Sequence, residues 1–284
     1  MLNLIFASDC FILYFLLFLM SKLALKDKFL DLSDYGRPFG KWLANLLKNT
    51  KFTPVDVTFL FGLSGLVALY CIYSNHYFLA GFFIVLKSAI DAADGELARL
   101  KNTPSYVGRY LDSVFDIVLN FMFLMMICYV SKTTFVWTIV AFICIQLQGT
   151  LYNYYYVILR NKLVGGDTTS KVFEYKSPRA LPGEAQKSVD ILFFVYKIVY
   201  GGFDRAIHFL DQDAHKVSGF PRWFMTLLSV YGLGFQLLVI AVMLGLGWIE
   251  WIVPFFIGFS GLIFVLIFIR KVFFKSNNSQ ANLM

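Results

Sequence analysis

Six apolar runs, over residues 54–73, 77–97, 107–130, 135–159, 223–246 and 252–269, are each long enough to cross a lipid bilayer as a helix. The hydrocarbon core is about 30 Å thick and takes roughly 20 helical residues. Every backbone polar group inside it must be paired within the segment, which leaves helices or closed barrels. Runs of this length without alternation select helices. The composition agrees: 58% of the 284 residues are hydrophobic and 15% charged, against about 45–50% and 25% in soluble domains. Intrinsic disorder, collagen, coiled coil and a small secreted disulfide scaffold are excluded. Cys10, Cys71, Cys128 and Cys144 sit inside apolar runs without CxxC spacing and read as small hydrophobes. The fold class is an all-α integral membrane protein, a six-transmembrane-helix bundle.

The net charge of +7 points to loops on the negative, cytoplasmic side of a membrane rather than to nucleic acid. Of the 25 Lys and Arg, seven fall between Lys22 and Lys51, ten between Arg160 and Arg222, and three at Arg270, Lys271 and Lys275. Arg99, Lys101 and Arg109 lie in the turn joining the second and third runs, Lys87 lies inside a run, and Lys132 alone serves the opposite side. All these basic segments are therefore expected in the cytoplasm. The apolar stretch 189–200 carries Asp190 and Lys197 and is expected to stop at Gly201-Gly202. Counting it as a span would send the C-terminal cations outside, so it reads as an interfacial or re-entrant helix. It lies in a cytoplasmic insertion at about 164–221.

Before the first run, Phe39, Trp42, Leu43, Leu46 and Leu47 recur at helical spacing, with Lys41, Asn45 and Lys48 on another face. This pattern suits a helix in the cytoplasmic interface; packing on the protein's own loops is the other reading. Residues 1–19 form a further hydrophobic segment that is a true span, a signal anchor, or upstream of a start at Met20. The remaining divisions are a cytoplasmic and interfacial segment at 20–53, the membrane domain at 54–275 and a tail at 276–284.

The chemistry concentrates between the second and third runs. Asp91, Asp94 and Ala98 fall at i, i+3 and i+7, while Gly108, Asp112 and Asp116 fall at i, i+4 and i+8, so each set lies on one helix face. Four carboxylates at a membrane boundary are costly, about 2.5–3.5 kcal/mol each at a helix centre and less near the interface. Their repulsion demands protons or cations. Oxygen-only ligation without His or Cys selects Mg²⁺, Mn²⁺ or Ca²⁺ over zinc, and two such ions would clamp a diphosphate. Gly95, Ala98 and Gly108 leave bare surface for a nucleotide. His76, His208 and His215 have no metal-ligand spacing.

The string D-x2-D-G-x2-A-R-x8-G-x3-D-x3-D, from Asp91 to Asp116, resembles the signature of the CDP-alcohol phosphotransferases at every fixed position. Thr53-Pro54 and Thr58 resemble a further element that many members place at the start of the first span, with Val55 where Asn is common. The resemblance implies six membrane helices preceded by an interfacial helix. It implies Asp91, Asp94, Asp112 and Asp116 as ligands of two ions, Mg²⁺ or Mn²⁺, with Asp116 also the general base. It implies Gly95, Ala98, Arg99 and Gly108 beside the cytidine nucleotide, and a homodimer.

The expected reaction moves a phosphatidyl group from CDP-diacylglycerol to a small polar alcohol, phosphorylated or not, and releases CMP. The partners are thus a CDP-linked lipid donor, an alcohol acceptor and the surrounding lipid of the cell's inner or plasma membrane, with the site facing the cytoplasm. Arg109, Arg160 and Lys162 are candidate acceptor-binding cations, against the alternative of ordinary positive-inside flanks. Lys87 lies four residues before Asp91 on the same face and is expected to pair with it, a direct substrate role being the lesser alternative. Gln146, Gln148, Tyr152 and Asn153 make the fourth run polar, either as pocket lining or as interhelical hydrogen bonds. Two rival functions are phosphotransfer from CDP-choline or CDP-ethanolamine to diacylglycerol, and cation transport on the same carboxylates.

Overall fold

The computed structural model describes residues 28–163, 174–217 and 219–274, with Ser21 and Leu23. The hydrophobic segment at 1–19, residues 164–173 of the insertion, the tail at 276–284 and the side chain of Lys162 lie outside the described residues. Ten α-helices and no strand occur among those described: α1 Arg37–Leu47, α2 Pro54–Tyr73, α3 Tyr77–Lys101, α4 Tyr106–Ser131, α5 Phe135–Leu163, α6 Gln186–Leu210, α7 Arg222–Leu228, α8 Leu233–Gly245, α9 Ile252–Phe259 and α10 Gly261–Phe273.

By length and apolarity, Pro54–Tyr73, Tyr106–Ser131, Phe135–Asn161 and Ile249–Phe273 can cross a membrane. The pair α7 and α8 makes a fifth, bent by 52° where the chain passes through a 3₁₀ turn at Ser229–Tyr231. Helix α3 is long enough but carries Lys87, Asp91 and Asp94 within its apolar stretch.

The helix boundaries have local causes. Thr53 and Asp56 form a capping box at the start of α2: the Thr53 hydroxyl accepts from the Asp56 N–H at 3.2 Å, and the Asp56 carboxylate accepts from the Thr53 N–H at 2.7 Å. Pro54 occupies the first helical position, where its missing N–H costs nothing. Helix α3 ends at Asn102 in the left-handed region, φ 53°. Ser105 then caps α4 by accepting from the Gly108 N–H at 2.8 Å.

Lipid tails are as apolar as Leu, so helices in a membrane associate through close packing and hydrogen bonds. The central helix α3 packs on α1, α2 and α8. At Gly81 a Cβ would come within 2.7 Å of the Ala241 carbonyl oxygen of α8, and at Gly40 within 2.8 Å of the Ala92 backbone. Phe61, Ile72, Ile84, Phe123, Leu237 and Phe256 belong to the main core cluster. A second cluster gathers around Tyr155, Phe224, Met225 and Tyr231. Beside it the Arg270 guanidinium is ion-paired with the fully buried Asp211.

Helix α1 has three faces. Arg37, Gly40 and Ala44 are buried, Phe39, Trp42 and Leu46 form an exposed apolar stripe, and Lys41, Asn45 and Lys48 form an exposed polar one. The helix therefore packs on the bundle and still presents apolar surface outward, a combination of the two sequence readings that suits an interfacial position.

Helix α6 corrects one expectation. It does not stop at Gly201-Gly202 but continues to Leu210. Each glycine costs about 1 kcal/mol relative to Ala in a helix interior; packing of α6 on α4 and α5 and burial of Ile207 beyond the pair hold the helix together.

The basic segments meet at one end of the bundle. Lys101 donates to the carbonyls of Thr50 and Phe52 at 2.8 and 2.6 Å. Arg109 pairs with Glu174 of the insertion at 2.5 Å. Glu184 accepts from the Val107 N–H at 2.8 Å and the Ser105 hydroxyl at 2.7 Å. The insertion is thus fastened to the first turn of α4.

Candidate active site

Helices α3 and α4 run antiparallel, and their carboxylates converge near this end. Ligand oxygens of Asp91, Asp112 and Asp116 lie within 4.8 Å of one another. Asp94 lies beside them, its Oδ2 accepting from the Thr58 hydroxyl of α2 at 2.9 Å. Thr58 is itself buried, so the Thr-Pro…Thr element both starts α2 and orients one carboxylate.

Two cations approach this cluster differently. The wholly buried Lys87 donates from Nζ to Asp116 Oδ1 and stands 4.0 Å from Asp91 Oδ2. The expected pairing with Asp91 is therefore the weaker of two contacts. Arg160 of α5 lines all three cavities that touch the carboxylates, and it has no ion-pair partner among the described residues. Arg99 is exposed and pairs with Glu96 at 2.9 Å. Arg109 also lies over the Tyr110 ring, 4.5 Å from its centroid.

The cavities divide the carboxylates between them. One, of about 420 Å³, is lined by Asp94, Gly95, Ala98, Gly108, Asp112 and Arg160, among others. A Cβ at Gly95 would meet nothing nearer than the Arg99 guanidinium at 3.7 Å. Packing among the described residues does not require glycine there, whereas open cavity surface does. A second cavity, of about 400 Å³, is reached past Asp91 and Asp116 and is walled by Asn120, Gln146, Tyr152 and Asn153. A third, of about 340 Å³, joins them along Asp91, Asp94, Asp112, Arg109 and Arg160.

The structure thus brings together every candidate site residue whose side chain is described. It also separates the polar residues of α5. Gln148 is structural, donating to the Phe256 carbonyl at 3.0 Å and to Ser260 at 2.7 Å, while Gln146, Tyr152 and Asn153 face the second cavity.

Sequence reasoning missed the segment before α1. Asp31 accepts from the Tyr152 hydroxyl at 2.6 Å, and Ser33 lies so close to α8 that a Cβ at Gly234 would overlap the Ser33 carbonyl. This segment therefore walls the second cavity. It missed Asn120 as well, although Asn120 continues the four-residue spacing of Asp112 and Asp116 on α4.

The carboxylate cluster fits a divalent cation. Its donors are hard oxygens, and Asp112 Oδ1 is buried without a hydrogen-bond partner among the described residues. A buried, uncompensated carboxylate oxygen is costly and is what a bound ion would satisfy.

Comparison with known proteins agrees with this geometry. Residues 51–178 match the model of the CDP-alcohol phosphatidyltransferase family. That family is one of transferases of substituted phosphate groups. A protein of Thermococcus kodakarensis named bifunctional IPC transferase and DIPP synthase is 32% identical over 151 residues, covering 52% of this chain and 33% of that protein. The chain thus spans about a third of the length of this curated relative. No solved structure matches the chain.

Proposed function

We propose that the chain transfers a phosphatidyl group from a CDP-linked lipid to the hydroxyl of a small polar alcohol, releasing CMP at the cytoplasmic edge of a membrane. The observation that carries this reading is the meeting of two cavities at one carboxylate cluster. Asp94 and Asp112 face the cavity bordered by Gly95, Ala98 and Gly108, while Asp91 and Asp116 face the polar one. A two-substrate displacement needs this arrangement, with donor and acceptor entering from different sides and reacting between them.

The nucleotide occupies the glycine-bordered cavity, and the diphosphate lies along Asp91, Asp94, Asp112 and Arg160. Two ions, Mg²⁺ or Mn²⁺, held by Asp91, Asp94, Asp112 and Asp116, would offset the charge of the diphosphate and of the departing CMP. Asp116 receives the acceptor's hydroxyl proton on Oδ2, because Oδ1 is engaged by Lys87. The acceptor oxygen forms a bond to the phosphorus that carries the lipid. The bond from that phosphorus to CMP breaks, and CMP leaves with the electron pair. Arg160 compensates charge where the cavities join, and Arg109 holds Glu174 against α4 at the rim.

The membrane arrangement proposed is six spans within residues 54–275: α2, α3, α4, α5, the bent pair α7–α8, and α9–α10. Helix α3 crosses because its charged residues face the site rather than lipid. Helices α1 and α6 lie in the cytoplasmic interface. Transfer from CDP-choline or CDP-ethanolamine to diacylglycerol is less well supported, since the acceptor-side cavity is walled by amides, hydroxyls and carboxylates.

Product identification tests the assignment. Purified full-length protein in detergent–lipid micelles is given CDP-diacylglycerol labelled in its acyl chains, with Mg²⁺ and a panel of polar alcohols. A labelled phospholipid bearing the alcohol is expected. Labelled phospholipid arising only from CDP-choline or CDP-ethanolamine and diacylglycerol would reverse donor and acceptor.

A further inference from the structure

The polar cavity beyond Asp116 carries information about the acceptor that the motif does not. On α4, Asn120 lies one turn beyond Asp116 on the same face. Its side chain is 8% exposed, and its Oδ1 is buried with no hydrogen-bond partner among the described residues. Buried amides are almost always paired, so an orphaned acceptor on a cavity wall marks a place for a ligand donor. Across the cavity, Gln146, Thr150 and Asn153 recur at i, i+4 and i+7 on α5. The amides of Gln146 and Asn153 make no hydrogen bond among the described residues. Gly149 leaves room between them, since a Cβ there would meet only the Tyr231 carbonyl at 3.8 Å and Gln236 Oε1 at 4.0 Å.

The charges in this cavity are arranged against a phosphate. Besides Asp91 and Asp116, which would hold the ions, Asp31, Asp34 and Asp204 line it, and the one cation among the described residues of its lining is Arg160, which also lines the nucleotide cavity and the passage between them. Lys87 is committed to Asp116. A phosphorylated acceptor would place its dianion beside Asp31 and Asp204 and compete with the donor diphosphate for Arg160. Asp31 and Asp34 do not ask for an ammonium either. Asp31 is taken by Ser33 and Tyr152, and Asp34 by Arg37. Apart from Asp204 and Arg160, what remains uncommitted beside Asp116 among the described residues is neutral amide, able to donate and accept at once.

We propose that the acceptor is an uncharged polyhydroxylated alcohol, held in this cavity by Asn120, Gln146 and Asn153 so that one hydroxyl reaches Asp116. The inference rests on the transfer reading above and narrows its acceptor. Amide side chains match vicinal hydroxyls, each of which is both donor and acceptor, and the neighbouring Tyr152 and Tyr200 offer apolar ring surface with a polar edge.

The test measures CMP release by the full-length protein with CDP-diacylglycerol and Mg²⁺, adding acceptors singly. Glycerol and myo-inositol are the neutral polyols, glycerol 3-phosphate and inositol 1-phosphate the phosphorylated ones, and serine and ethanolamine the amino alcohols. Release driven by a neutral polyol is expected. Asn120→Leu and Gln146→Leu should raise the KM for that polyol at least tenfold, with kcat less affected and with CDP still protecting the protein against thermal unfolding. Asn153 is exposed, so Asn153→Leu gives the same reading without risk to folding, and a several-fold rise in KM is expected.

Release driven only by phosphorylated or amino alcohols would overturn the inference and leave the transfer reading standing. A polyol KM unchanged in all three variants would also overturn it. Absence of release with every acceptor, together with loss of CDP protection, would remove both readings at once.

Discussion

The buried ammonium of Lys87 on α3 donates to Oδ1 of Asp116 on α4, with the Phe61 ring packed against it at 4.6 Å. This contact ties the two motif helices together where the carboxylates converge and fixes which oxygen of Asp116 faces the polar cavity. An ion pair at this depth contributes less to stability than to geometry, but removing one partner is expensive, about 3–5 kcal/mol. Lys87→Met is therefore expected to lower CMP release at least 100-fold and to reduce thermal stability. Adding Asp116→Asn to it should recover stability but not turnover. A double variant no more stable than Lys87→Met would show that the pair is not the unit described here.

Asp116→Asn alone keeps the shape of the site and removes the proton acceptor. Turnover is expected to fall by about 10²–10⁴, the usual contribution of a positioned base, while CDP continues to raise the melting temperature. Near-normal turnover in this variant would assign the base elsewhere.

Gly95 separates packing from ligand space. Because a Cβ has room there, Gly95→Leu should fold with unchanged or slightly raised stability and lose donor binding, seen as a rise of tenfold or more in the KM for CDP-diacylglycerol. A protein that unfolds would mean the glycine serves packing after all.

Thr53 and Thr58 lie five residues apart and should respond differently. Thr53→Ala removes a capping box and is expected to cost about 1 kcal/mol of stability with little change in kcat. Thr58→Val removes the hydrogen bond that orients Asp94 and should lower kcat, with a higher Mg²⁺ concentration needed for half-maximal rate. Calorimetry and metal titration distinguish the two.

Asp204 on α6, outside the spanning helices, is pushed up to about 7 by burial and by the nearby Glu174. A carboxyl that holds its proton more tightly folded than unfolded loses stabilisation as pH rises from its unfolded value, about 3.9, towards 7. Asp204→Asn lacks that loss. Its melting temperature relative to the parent should climb between about pH 4 and pH 7 and level off above. A difference independent of pH would contradict this assignment.

Much of this architecture is legible in the sequence because its causes are local. Apolar length sets α2, α4 and α5, Thr53-Pro54 sets a helix start, and the spacing of Asp91 to Asp116 aligns the carboxylates on facing helices. What escapes is long-range. The bend between α7 and α8 lies where residues 31–34 dock on the start of α8. The continuation of α6 past Gly201-Gly202 depends on packing against α4 and α5. Lys87 prefers Asp116 over Asp91 because the partner comes from the next helix, whereas helical spacing shows only the i+4 neighbour. The division of α5 into structural Gln148 and cavity-facing Gln146 and Asn153 likewise depends on α9 and on the segment before α1.

The central claim is that two cavities exchange a phosphate-linked group at the Asp91–Asp116 cluster. Acceptor-dependent CMP release from CDP-diacylglycerol, followed with and without a chelator and in Asp116→Asn, tests it most directly. The account predicts release that requires an alcohol, stops on chelation, returns with Mg²⁺ or Mn²⁺, and is absent from the variant. Release that persists in chelator and in Asp116→Asn would contradict it.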